Sequence, residues 1–432
     1  MPTHFAPSGP LRGRIRPPAD KSISHRAALI AGMCDSPVTI RNYLDSADTN
    51  STLNAVRLLG GAVEHRGGTV LVRGVGVRGA QQFNGIVDVG NSGTLIRLLP
   101  GWLCGQPAGR WQLDGDESIR RRPMRRIVDS LREMGAVIEA SDQGTPPLTI
   151  EAAPLHGIDY TLPVASAQVK SCLLLAAMAA SGTTRIREPQ VTRDHTERML
   201  VAAGLPLRRE GDTIVVDGLI DELELSTIDV PGDLSSAAFM IVAGVLIKGS
   251  RLVIEDVGLN HTRIGILNIL ERMGAVVLAD PERPSREIPS HEPTGDLDVA
   301  AAPLVGTTVG GDEVPLAIDE LPLVALLGCF AEGETVVTGA RELRFKESDR
   351  ITAVVNGLRG LGAEIEDVGD GFVVQGTDGL RGGTIDSHGD HRLAMLGAIA
   401  GLASDEGVDV INMRAAAVSY PNFQHDLERL GR

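Results

Sequence analysis

Leu131-Arg132-Glu133-Met134-Gly135-Ala136-Val137-Ile138 joins an amphipathic segment to a β-branched one across a single glycine. Apolar residues at i, i+3 and i+4 before the glycine predict a helix, and Gly135 can take the left-handed conformation that ends one. The run that follows predicts a short strand. The phrase returns as Leu58-Leu59-Gly60-Gly61-Ala62-Val63-Glu64, as Met199 to Ala203-Gly204-Leu205-Pro206-Leu207, and as Leu270 to Met273-Gly274-Ala275-Val276-Val277. It appears again as Leu358 to Leu361-Gly362-Ala363-Glu364-Ile365 and, truncated, as Leu427 to Leu430-Gly431. With Gly61, Gly135, Gly204, Gly274, Gly362 and Gly431 as equivalent positions, the gaps are 74, 69, 70, 88 and 69 residues. Near-constant spacing along the whole chain marks a sixfold internal repeat. Solenoid units run about 20–50 residues; these longer units read instead as α/β folding modules grouped around shared cores.

Composition narrows what such a chain can do. Its 432 residues suffice for two to three domains. Lys and Arg number 41 against 56 Asp and Glu, a formal charge of −15, so the surface as a whole repels anions. Aromatic residues make up 3%, little for stacking bases, and the acidic balance also argues against a nucleic-acid partner. No apolar run approaches the length needed to span a bilayer, and the start Met1-Pro2-Thr3-His4-Phe5 does not read as a secretory leader. Cys34, Cys104, Cys172 and Cys329 are far apart and read as buried free thiols. The expectation is a cytoplasmic protein.

Against that acidic background the cations gather in short motifs rich in Gly, Ser, Thr and Asp. These are Asp20-Lys21-Ser22 to Arg26, Asn91-Ser92-Gly93-Thr94 to Arg97, Arg120-Arg121-Arg122-Pro123, Thr192-Arg193-Asp194-His195, Lys346-Glu347-Ser348-Asp349-Arg350 and Gly389-Asp390-His391-Arg392. Local cation clusters on an acidic protein point to a small, multiply charged anion. Several motifs open predicted helices, where unpaired N–H groups and the helix dipole favour phosphate or carboxylate. Each motif also has a plainer reading: Asp20 and Asp390 as N-caps, and Lys346 to Arg350 as a surface salt-bridge cluster. Glu347 among cations can exchange a proton with a substrate carbon, and Arg350 offers a fork for a carboxylate. Ile318-Asp319-Glu320-Leu321-Pro322 sets two acids before an apolar run, a place for a perturbed carboxylate base. Ser166-Ala167-Gln168 opens a helix with no apolar reason for Gln168. His388 and His391 have no further ligand at metal spacing.

In order and together, these motifs resemble the 5-enolpyruvylshikimate-3-phosphate synthase family of enolpyruvyl transferases, from Asp20 to about Phe423. The resemblance implies two lobes of three βαβαββ units each. The first lobe would be residues 21–229 and the second residues 1–20 plus 230–432, with crossings near residue 20 and near Val230-Pro231-Gly232 and the active site in the cleft between the lobes. It implies transfer of the enolpyruvyl group of phosphoenolpyruvate to the 5-hydroxyl of shikimate 3-phosphate, with release of phosphate. By resemblance Lys21 and Arg122 hold the phosphoenolpyruvate phosphate, Arg350 and Arg392 its carboxylate, and Gly93 leaves room beside the backbone. Gln168 lies within reach of both substrates. Ser22, Arg26, Ser166, Gln168, Arg193 and Lys346 hold shikimate 3-phosphate, with Lys21 beside them. Asp319 is the base for the 5-hydroxyl, Glu347 gives a proton to the methylene carbon and takes it back, and Lys21 counts with them as catalytic. No metal or organic cofactor, no nucleic acid and no membrane is implied, and a monomer is expected.

Two positions depart from one common family pattern. Ala417-Val418-Ser419-Tyr420-Pro421 carries no cation where a lysine often stands, and Ala167 replaces a frequent serine. The sister enzyme that uses a UDP-amino sugar needs a reactive cysteine before its Arg-Pro. Here that loop reads Gly115-Asp116-Glu117-Ser118-Ile119-Arg120.

Overall fold

The computed structural model describes residues 2–377 and 379–431. Two compact units divide the chain. The first comprises Ala19–Val230 together with Pro284–Glu292, and the second takes the chain up to Pro18, Pro231–Arg283, and the chain from Pro293 on. Each has its own hydrophobic core. The excursion of Pro284–Glu292 into the first unit has no counterpart in the division expected from sequence.

One repeat shows the plan of all six. Strands Ile86–Asp88, Arg110–Asp114, Leu148–Glu151 and Val137–Glu139 lie side by side in that order. The first pair is parallel, so a helix, Leu95–Cys104, must cross between its strands. The remaining pairs are antiparallel, with helix Arg125–Glu133 leading into Val137–Glu139, the repeat's third strand in chain order. The same order and directions recur for Asp159–Thr161, Thr183–Arg187, Thr213–Asp217 and Arg208–Glu210. They recur again for Thr308–Val309, Glu334–Val337, Phe372–Gln375 and Glu364–Asp367.

The main sheets of the other three repeats are completed from distant sequence. Thr227–Asp229 returns to lie parallel to Val38–Arg41 and closes the first repeat. Arg12–Ile15 lies parallel to Arg251–Gly258 in the second unit. Thr3–Phe5 pairs antiparallel with Val408–Ile411, beside Gly383–Asp386. The sixth repeat looks truncated in sequence because its last strand is supplied by the N-terminus.

The first helix of each repeat is buried on nearly every face. Lys21–Met33, Leu95–Cys104 and Ala167–Ala177 do this in the first unit, and Leu234–Leu246, Leu321–Gly328 and His391–Ala403 in the second. Such inner helices need no polar face, which is why they read as plain apolar runs. The second helices, such as Arg125–Glu133, bury one side only.

The repeat glycines end these second helices, with one correction. Gly60, Gly135, Gly204, Gly274 and Gly362 have φ of +101°, +93°, +90°, +85° and +102°, the left-handed region that glycine enters without cost to a Cβ. In the first repeat it is Gly60, not Gly61, that plays this part; Gly61 aligns with Ala136. Gly431 sits at φ −85° and ends its helix without the left-handed turn.

Candidate active site

Most of the motifs stand at helix starts, while Arg120-Arg121-Arg122 lies at the end of the short helix Glu117–Arg120. Asp20 caps Lys21–Met33 by accepting from the Ile23 amide at 2.8 Å, and Ser166 accepts from Val169 at 3.4 Å. Ser92 Oγ accepts from the Leu95 amide at 3.1 Å. In the second unit Asp390 accepts from the Arg392 amide at 2.9 Å and Asp349 from Thr352 at 3.1 Å. The caps predicted for Asp20 and Asp390 are therefore real. They also hold Lys21, Ser22 and Arg392 in first turns, where the helix dipole favours anions.

In the first unit the cations are held by neutral groups as much as by acids. Arg26 is buried; its Nε donates to Thr196 Oγ1 at 2.7 Å, Nη2 to Ser171 Oγ at 3.0 Å and Nη1 to the Ser22 carbonyl at 3.0 Å. Burial and the neighbouring Arg193 draw its pKa down to about 10. Glu197, Asp20 and Glu292 partly offset that repulsion. Lys21 Nζ lies 3.4 Å from Asp48 Oδ2. Gln168 Nε2 donates to Thr94 Oγ1 at 3.3 Å, so the polar start of one inner helix is tied to that of the next.

Gly93 lies against two guanidiniums. Arg97 Nη1 donates to its carbonyl at 3.0 Å. A Cβ built on Gly93 would collide with Arg122 Nη1 and stand 2.9 Å from Arg97 Nη1. The room that this glycine provides is thus filled by Arg122, whose Nη2 reaches Asn91 Oδ1 and Ser118 Oγ at 3.4 Å each.

The second unit holds a denser charge network. Arg350 is 1% exposed. Its Nε lies 2.8 Å from Asp390 Oδ2, Nη1 3.1 Å from Asp319 Oδ1, and Nη2 2.6 Å from Glu347 Oε2. Burial opposes its charge, but Asp390, Glu347 and Asp319 outweigh burial and hold it above the ordinary arginine range. Lys346 Nζ stands 3.2 Å from the same Asp319 oxygen. Arg392 Nη1 donates to the Asp319 carbonyl at 3.1 Å and lies 3.6 Å from Glu320 Oε1. Asp319, Lys346, Glu347, Arg350 and Arg392, from three separate motifs, thus meet in one cluster.

Sequence reading missed three supporting groups. Lys170 is fully buried, with Nζ 2.6 Å from Glu197 and 3.0 Å from Glu188. Burial works against its charge, yet the two glutamates raise its pKa. It joins the helix opened by Ser166 to the segment bearing Arg193, and a lysine inside an apolar helix is the signal that could have found it. His25 is buried between Thr52 Oγ1 at 2.6 Å and Ser92 Oγ at 3.4 Å. Burial, then Lys21 and Arg26, keeps it neutral. Glu320, passed over in favour of Asp319, is buried and accepts from Ser235 Oγ.

The four cysteines are free and buried. Burial pushes Cys34, Cys104 and Cys329 up to about 12 and Cys172 well above its ordinary value, so none is a poised nucleophile. Among the described residues no helix is long and apolar enough to cross a membrane.

Six βαβαββ repeats in two units, with cationic motifs at helix starts, define the enolpyruvyl transferase architecture. The enolpyruvyl transferase NikO from Streptomyces tendae shares the fold, with a TM-score of 0.77 over 99% of this chain and 97% of that one at 19% identity. The family model for EPSP synthase (3-phosphoshikimate 1-carboxyvinyltransferase) matches residues 5–427. A 3-phosphoshikimate 1-carboxyvinyltransferase from Alkalilimnicola ehrlichii is 46% identical over 98% of this chain and 94% of its own length. One from Bacillus cereus is 43% identical over 98% and 97%. EPSP synthase from Acinetobacter baumannii superposes with a TM-score of 0.86 at 39% identity, covering 99% and 98%. The chain belongs to the EPSP synthase family.

Proposed function

We infer that the protein transfers the enolpyruvyl group of phosphoenolpyruvate to the 5-hydroxyl of shikimate 3-phosphate, and that both groups of motif residues serve this one reaction. Lys21 and Arg122 hold the phosphoenolpyruvate phosphate, beside Gly93, and Arg350 and Arg392 hold its carboxylate. Ser22, Arg26, Ser166, Gln168, Arg193 and Lys346 hold shikimate 3-phosphate. Two phosphates and two carboxylates brought together repel one another, and this set of cations offsets that repulsion.

The observation that carries the reading is Arg350 joining Asp319 at 3.1 Å to Glu347 at 2.6 Å. One rigid guanidinium thereby orients two carboxylates with different tasks. Asp319, with Arg350 and Lys346 both within 3.2 Å, accepts the 5-hydroxyl proton. Glu347 protonates the methylene carbon of phosphoenolpyruvate while the 5-oxygen bonds to its central carbon. Glu347 then takes a proton back from the new methyl group, the double bond re-forms, and the carbon–oxygen bond to phosphate breaks, the departing phosphate taking up the proton that Asp319 had accepted from the 5-hydroxyl.

The test is to mix the protein with shikimate 3-phosphate and phosphoenolpyruvate and measure phosphate release, with a UDP-amino sugar as control acceptor. Phosphate is expected with shikimate 3-phosphate alone; release only with the sugar nucleotide overturns the reading. The buried, high-pKa cysteines already disfavour the sugar-nucleotide reaction. The proposal extends to a monomer acting in the cytoplasm, the first of which sedimentation checks directly.

A further inference from the structure

Residues 282–293 form a loop closed at its base by one residue. Glu282 N donates to the Leu259 carbonyl at 3.1 Å, and Leu259 N donates to the Pro293 carbonyl at 2.9 Å. Both ends therefore belong to the second unit, while Pro284–Glu292 between them belongs to the first. Ile288 packs against the first unit's core. His195 Nδ1 donates to Glu292 Oε1 at 2.7 Å, with side chains 2% and 7% exposed. Arg198 Nη1 donates to the His291 carbonyl at 2.8 Å, and its Nε donates to Asp194 Oδ1 at 2.9 Å.

Asp194 and His195 follow directly on Arg193, so the loop grips the segment that presents this cation. Lys170 and Glu188 hold the other side, through the Thr192 carbonyl at 3.4 Å and the Thr192 hydroxyl. Glu292 is also one of the carboxylates that help to keep Arg26 charged against burial and against Arg193.

We propose that Glu292 is a positioning residue for the shikimate 3-phosphate site: by fixing His195 it sets the direction from which Arg193 meets the anion. This rests on the assignment of Arg193 to shikimate 3-phosphate. A carboxylate near two anion-binding cations has a second possible effect, that of partly neutralising them, and this has the opposite sign. The contact is buried and made to a residue two positions from Arg193, so loss of orientation outweighs gain of positive potential.

The test is a double-mutant cycle on Glu292→Gln and Arg193→Ala, read as KM for each substrate and as kcat. Glu292→Gln is expected to raise KM for shikimate 3-phosphate about tenfold, with KM for phosphoenolpyruvate and kcat moving far less. In the Arg193→Ala background the same change is expected to add little. Glu292→Asp, which keeps the charge on a shorter stem, is expected to fall between, and carries the test if the Gln variant does not fold. Tighter or unchanged shikimate 3-phosphate binding in Glu292→Gln, while Arg193→Ala weakens it, overturns the proposal and leaves the assignment of Arg193 standing. Equal losses in both substrates, or full additivity in the cycle, reduce Glu292 to a structural role and overturn it too. If Arg193→Ala itself leaves shikimate 3-phosphate binding unchanged, the assignment beneath the proposal fails.

Discussion

Arg350 has three nitrogens on three carboxylates, from Asp319, Glu347 and Asp390. In the proposed mechanism it aims the neighbouring acids as well as binding substrate. A lysine in its place has one ammonium and no planar fork, so it cannot keep all three acids in register. Arg350→Lys is expected to raise KM for phosphoenolpyruvate and also to lower kcat; an unchanged KM counts against the assignment. Asp319→Asn and Glu347→Gln, which keep shape and lose the proton-carrying group, are each expected to lower kcat by about 10²-fold or more, with ligand affinity largely kept. Near-normal turnover in either refutes its role in proton transfer. Gly93→Ala is a steric test. The new methyl collides with Arg122 Nη1, the tip of a flexible side chain, so the fold survives and the guanidinium swings aside. KM for phosphoenolpyruvate is expected to rise about tenfold for loss of one charge-assisted contact, and a crystal structure of the variant checks the displaced Arg122.

At the scale of elements, the starts of the inner helices carry both stability and chemistry. Asp390 caps His391–Ala403 and is fully buried against Arg350. Burial alone would raise its pKa, but Arg350 and His391 lower it below the ordinary carboxylate value. A depressed folded-state pKa means that the stabilisation is present above the unfolded value, about 3.9, and fades as pH falls through the folded one. Asp390→Asn is expected to cost about 3 kcal/mol at pH 7 by breaking a buried pair. Urea midpoints should show the gap to the parent narrowing below pH 4; a gap that stays constant or widens there contradicts the linkage. Much of this scale was legible in the chain. Helix starts at Asp20, Ser166, Asp349 and Asp390 could be read because a capping side chain is a local signal. The pairing of Thr227–Asp229 with Val38–Arg41 could not, since a parallel partner nearly two hundred residues away leaves no local mark. The same holds for Pro284–Glu292, whose Pro- and Ser-rich composition reads as an ordinary loop. Lys170 and Glu197 escaped for a related reason: their meaning lies in the pair, and neither helix reveals the other.

At the scale of the whole molecule two fields of opposite sign act on an incoming substrate. The chain carries a formal charge of −15, which repels phosphoenolpyruvate and shikimate 3-phosphate from a distance. On the proposed assignment the motif cations attract them at contact range. Salt separates the two, because the Debye length falls from about 30 Å at 0.01 M to about 8 Å at 0.15 M. Over that interval the repulsion summed across the surface is screened out, while interactions with buried or half-buried cations are screened much less. The expected result is that kcat/KM for phosphoenolpyruvate rises, by about twofold, between 0.01 and 0.15 M tetramethylammonium chloride. It should then level off or fall as chloride begins to occupy the cationic sites. A monotonic fall from the lowest salt upward would mean that the cations govern the approach as well as the binding. The acidic surface would then be a matter of solubility alone.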